Sequence, residues 1–299
     1  MTDQWPPIPG IPAHAERPSD TATPGEHPRG TAASDGHLRD AGADDGRTGD
    51  AAASGERVSD AAASDGSARD VVAGGAELLD VDPVSAEPFA AGREADVFLL
   101  GDGRVLRRYR YATDTAGEAA VMAYVGGQGY PVPVVYAARG SDMVMERLHG
   151  PTMAQAAMTG RLSMADGAVV LAELLRRLHE VPARSGAGTI VHLDLHPENV
   201  LLTERGPMVI DWRNAGDGPG DLDTAFTALI LAQVAIGSIE HPLGVDAGVM
   251  LDRFLELAPG DPVRLLDEAV ALRSRQLTLS AEEVGMLGTA AARVRNGGR

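Results

Sequence analysis

The sequence predicts an α+β chain in which a small β-rich lobe precedes a larger helical lobe, behind a long low-complexity tail. Three observations carry that reading. Residues 1–82 contain few large apolar side chains. Residues 83–148 break into short apolar runs separated by turn residues, the pattern of strands. From residue 149 onward apolar positions recur at helical spacing.

The tail is rich in Ala, Gly, Asp, Ser and Pro. Aspartates 40, 50, 60 and 70 recur at ten-residue intervals, and DAAAS stands at 50–54 and again at 60–64. The repeat matches neither a helical nor a strand period in apolar residues. Such a segment buries too little surface to offset chain entropy, so residues 1–82 are expected to be disordered.

The β-rich lobe is expected over 83–148. Phe89 to Leu100 reads as two short strands around Gly92. Gly101-Asp102-Gly103 is a tight turn, and Val105 to Tyr111 is the partner strand. Asp-Gly between apolar runs is a hairpin signal. A helix is expected from about Ala116 to Val125, then an extended segment from Pro131 and a strand over Met143 to Met145.

The helical lobe is expected over 149–299. Leu171, Leu174, Leu175 and Leu178 share one helix face, and Ser163 with Asp166 resembles a capping box at its start. A hairpin interrupts the helices: Asn199 to Leu202, a turn through Pro207, then Met208 to Asp211. From Leu222 to Arg295 the pattern is mostly helical, punctuated by Pro242, Pro259 and Pro262.

Composition excludes several functions. The 299 residues include no cysteine and no lysine; all 26 basic residues are arginine. Disulfides, thiolate metal sites and a cysteine nucleophile are therefore ruled out, and a reducing cytoplasmic setting is expected. The net charge is −17, with fifteen acids against six arginines in residues 1–80. That balance disfavours nucleic acid and anionic membranes as partners. The start of the chain has no basic segment followed by an apolar one, and the stretch from Ala225 to Ile236 is too short to span a bilayer.

The chemistry concentrates in VHLDLHPENVLL and the following VIDW. His192, Asp194, Asn199 and Asp211 are polar residues framed by Val, Ile and Leu. Asn199 starts one hairpin strand and Asp211 ends the other, so both oxygens can converge on one hard cation such as Mg²⁺. Asp194 lies in the loop before them and can orient an attacking hydroxyl and accept its proton, as phosphoryl transfer requires.

These residues resemble the aminoglycoside phosphotransferase family, within the kinase-like group that includes choline and homoserine kinases. The resemblance runs from about Gly92 to Ala225. It implies a two-lobed protein-kinase-like fold with ATP between the lobes. By resemblance, Asp194 is the catalytic base, Asn199 and Asp211 are the magnesium ligands, and His192 supports the loop. Asp223, in PGDLDTA, would brace that loop by accepting backbone hydrogen bonds; it also reads as a plain helix cap. Leu193 stands where regulated protein kinases have arginine, which favours a small-molecule kinase over a signalling one.

Other parts depart from the family pattern. The turn at Gly92 has one glycine where the kinase template has three. Arg107, in VLR, stands where that template has the phosphate-gripping lysine. Arginine keeps the charge but presents a planar fork. Glu118 would be its partner, although Thr115-x-x-Glu118 also reads as a capping box. Glu146 and Leu148, near Gly150, resemble the hinge whose main-chain groups hold adenine.

The expected function is an ATP- and Mg²⁺-dependent kinase acting on a hydroxyl of a small molecule, of aminoglycoside or other amino-alcohol type. The alternative is a pseudokinase that binds nucleotide without turnover. Asp217 and Asp221 stand near the expected mouth, where they would attract an ammonium group. Substrate identity and oligomeric state are not legible.

Overall fold

A computed structural model describes Leu79 and residues 83–297. The repeat tail expected to be disordered lies outside the described residues.

The chain first builds a five-stranded antiparallel sheet. Strands β1 (Ala90–Ala91), β2 (Ala95–Leu99) and β3 (Arg104–Tyr109) follow one another. Helix α1 (Ala116–Gly127) comes next, then β4 (Val135–Arg139) and β5 (Asp142–Glu146). The sheet order is β1-β2-β3-β5-β4. The reversal into β3 places Asp102 (φ 58°) and Gly103 (φ 69°) in the left-handed region, which aspartate and glycine tolerate best. Central β3 pairs with both neighbours: Arg107 lies opposite Val97 on one side and Met143 on the other.

Gly150 marks the passage out of the sheet. Its φ is 144°, and a Cβ there would lie 2.1 Å from the Leu202 carbonyl oxygen. Only glycine lets the chain pass that close to the backbone beyond.

The helical part begins with α2 (Met153–Met158), whose capping box joins Thr152 and Gln155. Helix α3 (Met164–His179) follows, with the Ser163 hydroxyl accepting from the Asp166 N–H at 3.0 Å. Leu171, Leu174, Leu175 and Leu178 are all completely buried, so the predicted apolar face is the packed one. Strand β6 (Thr189–Val191) leads into a 3-10 turn over Pro197–Asn199, and then β7 (Val200–Thr203) and β8 (Gly206–Val209) form the expected hairpin. Strand β9 (Gly216–Gly218) returns to pair with β6, a non-local pairing absent from the sequence reading.

Helix α4 (Gly220–Ala235) is buried at every residue from Leu222 to Gln233. A helix that is apolar on all sides needs cover on all sides. It packs against α3, α5 (Ala247–Leu257), α6 (Leu266–Arg273) and α8 (Leu287–Asn296); the short α7 (Ala281–Gly285) precedes α8. One apolar cluster runs from α1 through α3 and the β7–β8 hairpin to α8. A smaller one, centred on Leu100, Leu106, Ala137 and Val144, lies within the five-stranded sheet. Among the described residues, no helix is long and apolar enough to cross a membrane.

Candidate active site

The catalytic loop between β6 and β7 is held by one buried carboxylate. Asp223, in the first turn of α4, is fully buried. Its oxygens accept the main-chain N–H groups of His192 (2.9 Å) and Leu193 (2.7 Å), and its Oδ2 lies 3.2 Å from His179 Nε2. Leu193 has φ 56°, a conformation unfavourable for a residue with a Cβ, and these bonds hold it there. Asp223 therefore does what the resemblance implied.

His192 is fully buried and lies edge-on to Trp212, with ring centroids 4.9 Å apart. Its Nε2 lies 3.2 Å from the Ile210 carbonyl. A carbonyl only accepts, so that nitrogen carries the proton. Its Nδ1 has no partner. Burial holds the imidazole pKa below its usual value, and the ring is neutral. His192 thus ties the loop to the strand end before Asp211 and offers no proton to the cleft.

Asp194 and Asn199 sit together. The Asn199 Nδ2 donates to the Asp194 carbonyl at 2.9 Å and lies 3.5 Å from its Oδ2. That amine is directed at Asp194, which leaves the amide oxygen of Asn199 free to accept or to ligate. Burial pushes the Asp194 carboxyl up to about 6, with the Arg273 guanidinium opposing that rise. Beside it, burial and the Arg273 charge depress the His196 imidazole to about 4, so His196 is neutral.

The sheet meets this loop through Arg107. Its Nη1 donates to Glu118 Oε1 at 2.7 Å and its Nη2 to Asp211 Oδ1 at 2.5 Å. Tyr109 donates to the other Glu118 oxygen at 2.7 Å. Burial alone would lower the Arg107 pKa; the Asp211 and Glu118 charges outweigh it and hold the pKa above its ordinary value. Burial raises Glu118, and the same guanidinium draws it back down. Thr115 makes no capping bond to α1; its hydroxyl donates to the Asp142 carbonyl instead. Of the two readings of Glu118, the geometry has the ion pair.

Asn199 and Asp211 fall just outside the strands that they were expected to start and end. Asn199 closes the 3-10 turn before β7, and Asp211 stands two residues beyond β8 with φ 65°. The left-handed turn at Asp211 follows the Ile210 N–H, which donates to the Asn199 carbonyl at 3.0 Å. Two backbones bonded at that point bring both side chains to one end of the hairpin.

The remaining candidates lie farther out. Gly92 is exposed in the β1–β2 turn, its N–H donating to the Ala95 carbonyl at 2.9 Å. Glu146 ends β5; its N–H donates to the Val134 carbonyl at 2.8 Å, and its carboxylate holds Arg205 at 2.6 Å. Leu148 follows it, half-buried. Asp217 and Asp221 do not stand open to an ammonium group. Asp217 accepts from the N–H groups of Arg184 and Ser185, and Asp221 holds Arg264 and the Asp261 N–H. Both carboxylates tie down loops.

One residue of the site escaped sequence reasoning. Arg273, in the last turn of α6, is 5% exposed, and its Nη1 lies 3.6 Å from Asp194 Oδ1. Its Nε donates to the Gln233 amide oxygen in α4. No motif surrounds it, and nothing in ALRSRQ distinguishes it from other arginines that end helices.

The arrangement brings the Asp194–Asn199 pair and Asp211 together with two buried arginines. The family model for the phosphotransferase enzyme family matches residues 85–188 and 155–234, together half of the chain. No curated protein matches the chain. Solved structures similar to it include an amicoumacin kinase, hAmiN, in complex with AMP-PNP, Ca²⁺ and Ami (14% identity, 74% of this chain and 92% of that one, TM-score 0.45). Others are an aminoglycoside-3'-phosphotransferase of type VIII (17%, 75% and 99%, 0.42) and a gentamicin–APH(2'')-IIa complex (12%, 74% and 96%, 0.46). With the family model covering the sheet, the loop from His192 to Asn199 and nearly all of α4, the chain belongs to the phosphotransferase enzyme family.

Proposed function

We propose that this protein transfers the γ-phosphoryl group of ATP to a hydroxyl of a small molecule, with Asp194 as the base. The observation that carries the reading is the double hydrogen bond of Arg107 to Glu118 and Asp211. It ties the sheet to Asp211, whose neighbour Ile210 donates its N–H to the Asn199 carbonyl; on this reading a cation, a base and a metal-ligating pair share one site.

The donor set suits magnesium. Asn199 offers its amide oxygen, and Asp211 keeps Oδ2 beside the oxygen that binds Arg107. Among the described residues no group of three or more His, Cys, Asp or Glu converges. Two oxygen ligands are what Mg²⁺ takes from a protein when phosphates and water complete its shell. Bound Mg²⁺·ATP supplies the phosphoryl group and the neutralising charge on its oxygens.

Asp194 would accept the proton of the acceptor hydroxyl as that oxygen bonds to the γ-phosphorus and the bond from that phosphorus to the bridging oxygen breaks, releasing ADP. Arg107, fixed by Glu118, offers its charge to the non-transferred phosphates. His192 and Asp223 hold the loop in the conformation that aims Asp194. The Glu146 N–H is engaged by Val134, so at that residue adenine would bond to the carbonyl, and to main-chain groups of Leu148 beyond it. Gly92 would let the β1–β2 turn approach the phosphates. The lobes divide at about 148/149, where Gly150 passes against β7. A cytoplasmic site of action accords with the lack of cysteine.

Three features motivate the alternative of a non-catalytic scaffold: arginine in place of lysine at 107, the single-glycine turn at Gly92 and the acidic tail. The first loses force because Arg107 keeps its Glu118 partner. The test is acceptor-dependent release of ADP from Mg²⁺·ATP across a panel of hydroxylated molecules. The Asp194→Asn variant is expected to lower kcat by about a thousandfold, within the range for losing a general base. Slow ATP hydrolysis that no acceptor stimulates, and that Asp194→Asn leaves unchanged, would refute the assignment.

A further inference from the structure

We infer that the acceptor is a hydroxy acid, or another hydroxylated molecule carrying an anionic group, and that Arg273 is the residue that selects it. The inference rests on the phosphoryl-transfer reading and adds the substrate class.

Arg273 is buried beside the base, yet no carboxylate lies within hydrogen-bond distance of it; Asp194 is at 3.6 Å. Of its five N–H donors, Nε is used by Gln233, and Nη1 reaches Gln276 Oε1 at 3.0 Å. Both partners are neutral amides. The Nη2 amino group has no partner among the described residues. Gln233 is itself fully buried, and the Nε2 of the amide that holds Arg273 is also unpartnered. A buried guanidinium hydrogen-bonded only by amides, with its ion pair to Asp194 stretched to 3.6 Å, is costly, and burial lowers its pKa against the Asp194 and Glu283 charges. What satisfies it best is an anion, because the planar fork matches a carboxylate or phosphate.

The surroundings disfavour a cation. Arg93, in the β1–β2 turn, reaches the same side and donates to the Thr278 carbonyl at 3.4 Å. Glu283 is the nearby acid, and its carboxylate accepts the Ser280 N–H at 2.6 Å while facing Arg93 at 4.0 Å. Asp217 and Asp221 are engaged elsewhere. An ammonium group entering beside Asp194 would meet Arg93 and Arg273 as well as the Asp194 and Glu283 carboxylates, whereas an acid entering there would find an incompletely paired guanidinium.

The test uses the full-length protein with Mg²⁺·ATP and probe pairs that share a hydroxyl skeleton: glycerate against glycerol, and gluconate against sorbitol. Ethanolamine and kanamycin are the cationic probes. The acid of each pair should exceed its neutral partner at least tenfold in kcat/KM for ADP release. Arg273→Gln should erase that ratio and Arg273→Lys should keep part of it. Arg273→Glu should shift preference toward ethanolamine or kanamycin, a gain that a misfolded variant could not show. Faster turnover of the neutral or cationic probes by the parent protein overturns the inference and leaves the kinase reading standing. An acid preference unchanged in Arg273→Gln does the same. Lack of turnover with both acids also overturns it; the kinase reading falls with it only if ATP also fails to raise the Tm and no probe stimulates ADP release.

Discussion

Arg107 and Arg273 are both buried at the same centre, 8% and 5% exposed, but they are held in opposite ways. Arg107 bridges two carboxylates at hydrogen-bond distance, and its pKa stands above the ordinary value. Arg273 is held by two amides with its nearest carboxylate at 3.6 Å, and its pKa is depressed. Burial acts on both in the same direction. The difference lies in how closely the fold supplies compensating charge. Arg107 has two carboxylates at hydrogen-bond distance, which join the sheet to Asp211. Arg273 has one long ion pair, to Asp194, and on the proposed reading an anionic group of the acceptor completes it.

Stability measurements can break that comparison. Arg107→Met should cost the most, about 3–5 kcal/mol, because removing one partner leaves Glu118 buried without its cation. Urea unfolding of the variant reads this directly, and a near-normal midpoint would mean that the ion network contributes little.

Asp194 gives the next effect, with a definite sign. Its pKa is raised to about 6 by burial, so the folded state favours the protonated carboxyl. The stabilisation this gives is fully present below the unfolded pKa and is lost as pH rises through about 6. Above that, the ionised group costs on the order of 3 kcal/mol. Asp194→Asn should therefore raise the Tm at pH 8 and leave it nearly unchanged at pH 4. In the parent protein, kcat/KM should fall as pH drops through about 6. Equal thermal gains at both pH values would contradict a buried, charge-strained base.

The frame common to both arginines is the loop fixed by Asp223. Asp223→Asn keeps the shape but removes the charge from its hydrogen bonds, an expected loss of about 2 kcal/mol, with kcat lowered as Leu193 relaxes from its left-handed conformation. If hydrogen exchange at the His192 and Leu193 amides stayed as slow as in the parent, the brace would lie elsewhere.

Arg273→Met should be the mildest, within about 1 kcal/mol, since losing an under-paired buried charge offsets the lost amide contacts. A loss as large as that of Arg107→Met would erase the contrast between the two sides.

Much of this was legible from local pattern. The Asp102-Gly103 reversal, the α3 leucine face and the β7–β8 hairpin each depend on neighbours a few residues apart, which periodicity and turn chemistry report. Asp194, Asn199 and Asp211 share one short segment, so a hairpin suffices to place them. The β6–β9 pairing was missed because Thr189–Val191 and Gly216–Gly218 are too short to carry an alternation. The roles given to Asp217 and Asp221 were wrong because a carboxylate's partner is a tertiary fact: each meets a loop N–H far from it in sequence.

The sequence by itself determined the succession of a strand-rich part and a helical part and singled out the candidate site residues, because burial pattern and motif spacing are local quantities. The tertiary structure alone decided which charges are compensated. It chose Glu118 and Asp211 for Arg107, separated by 11 and 104 positions, and set Arg273 among amides beside Asp194, 79 residues earlier in the chain. Electrostatic energy depends on distance in space and on exclusion of water, and neither is written in the spacing of residues along a chain.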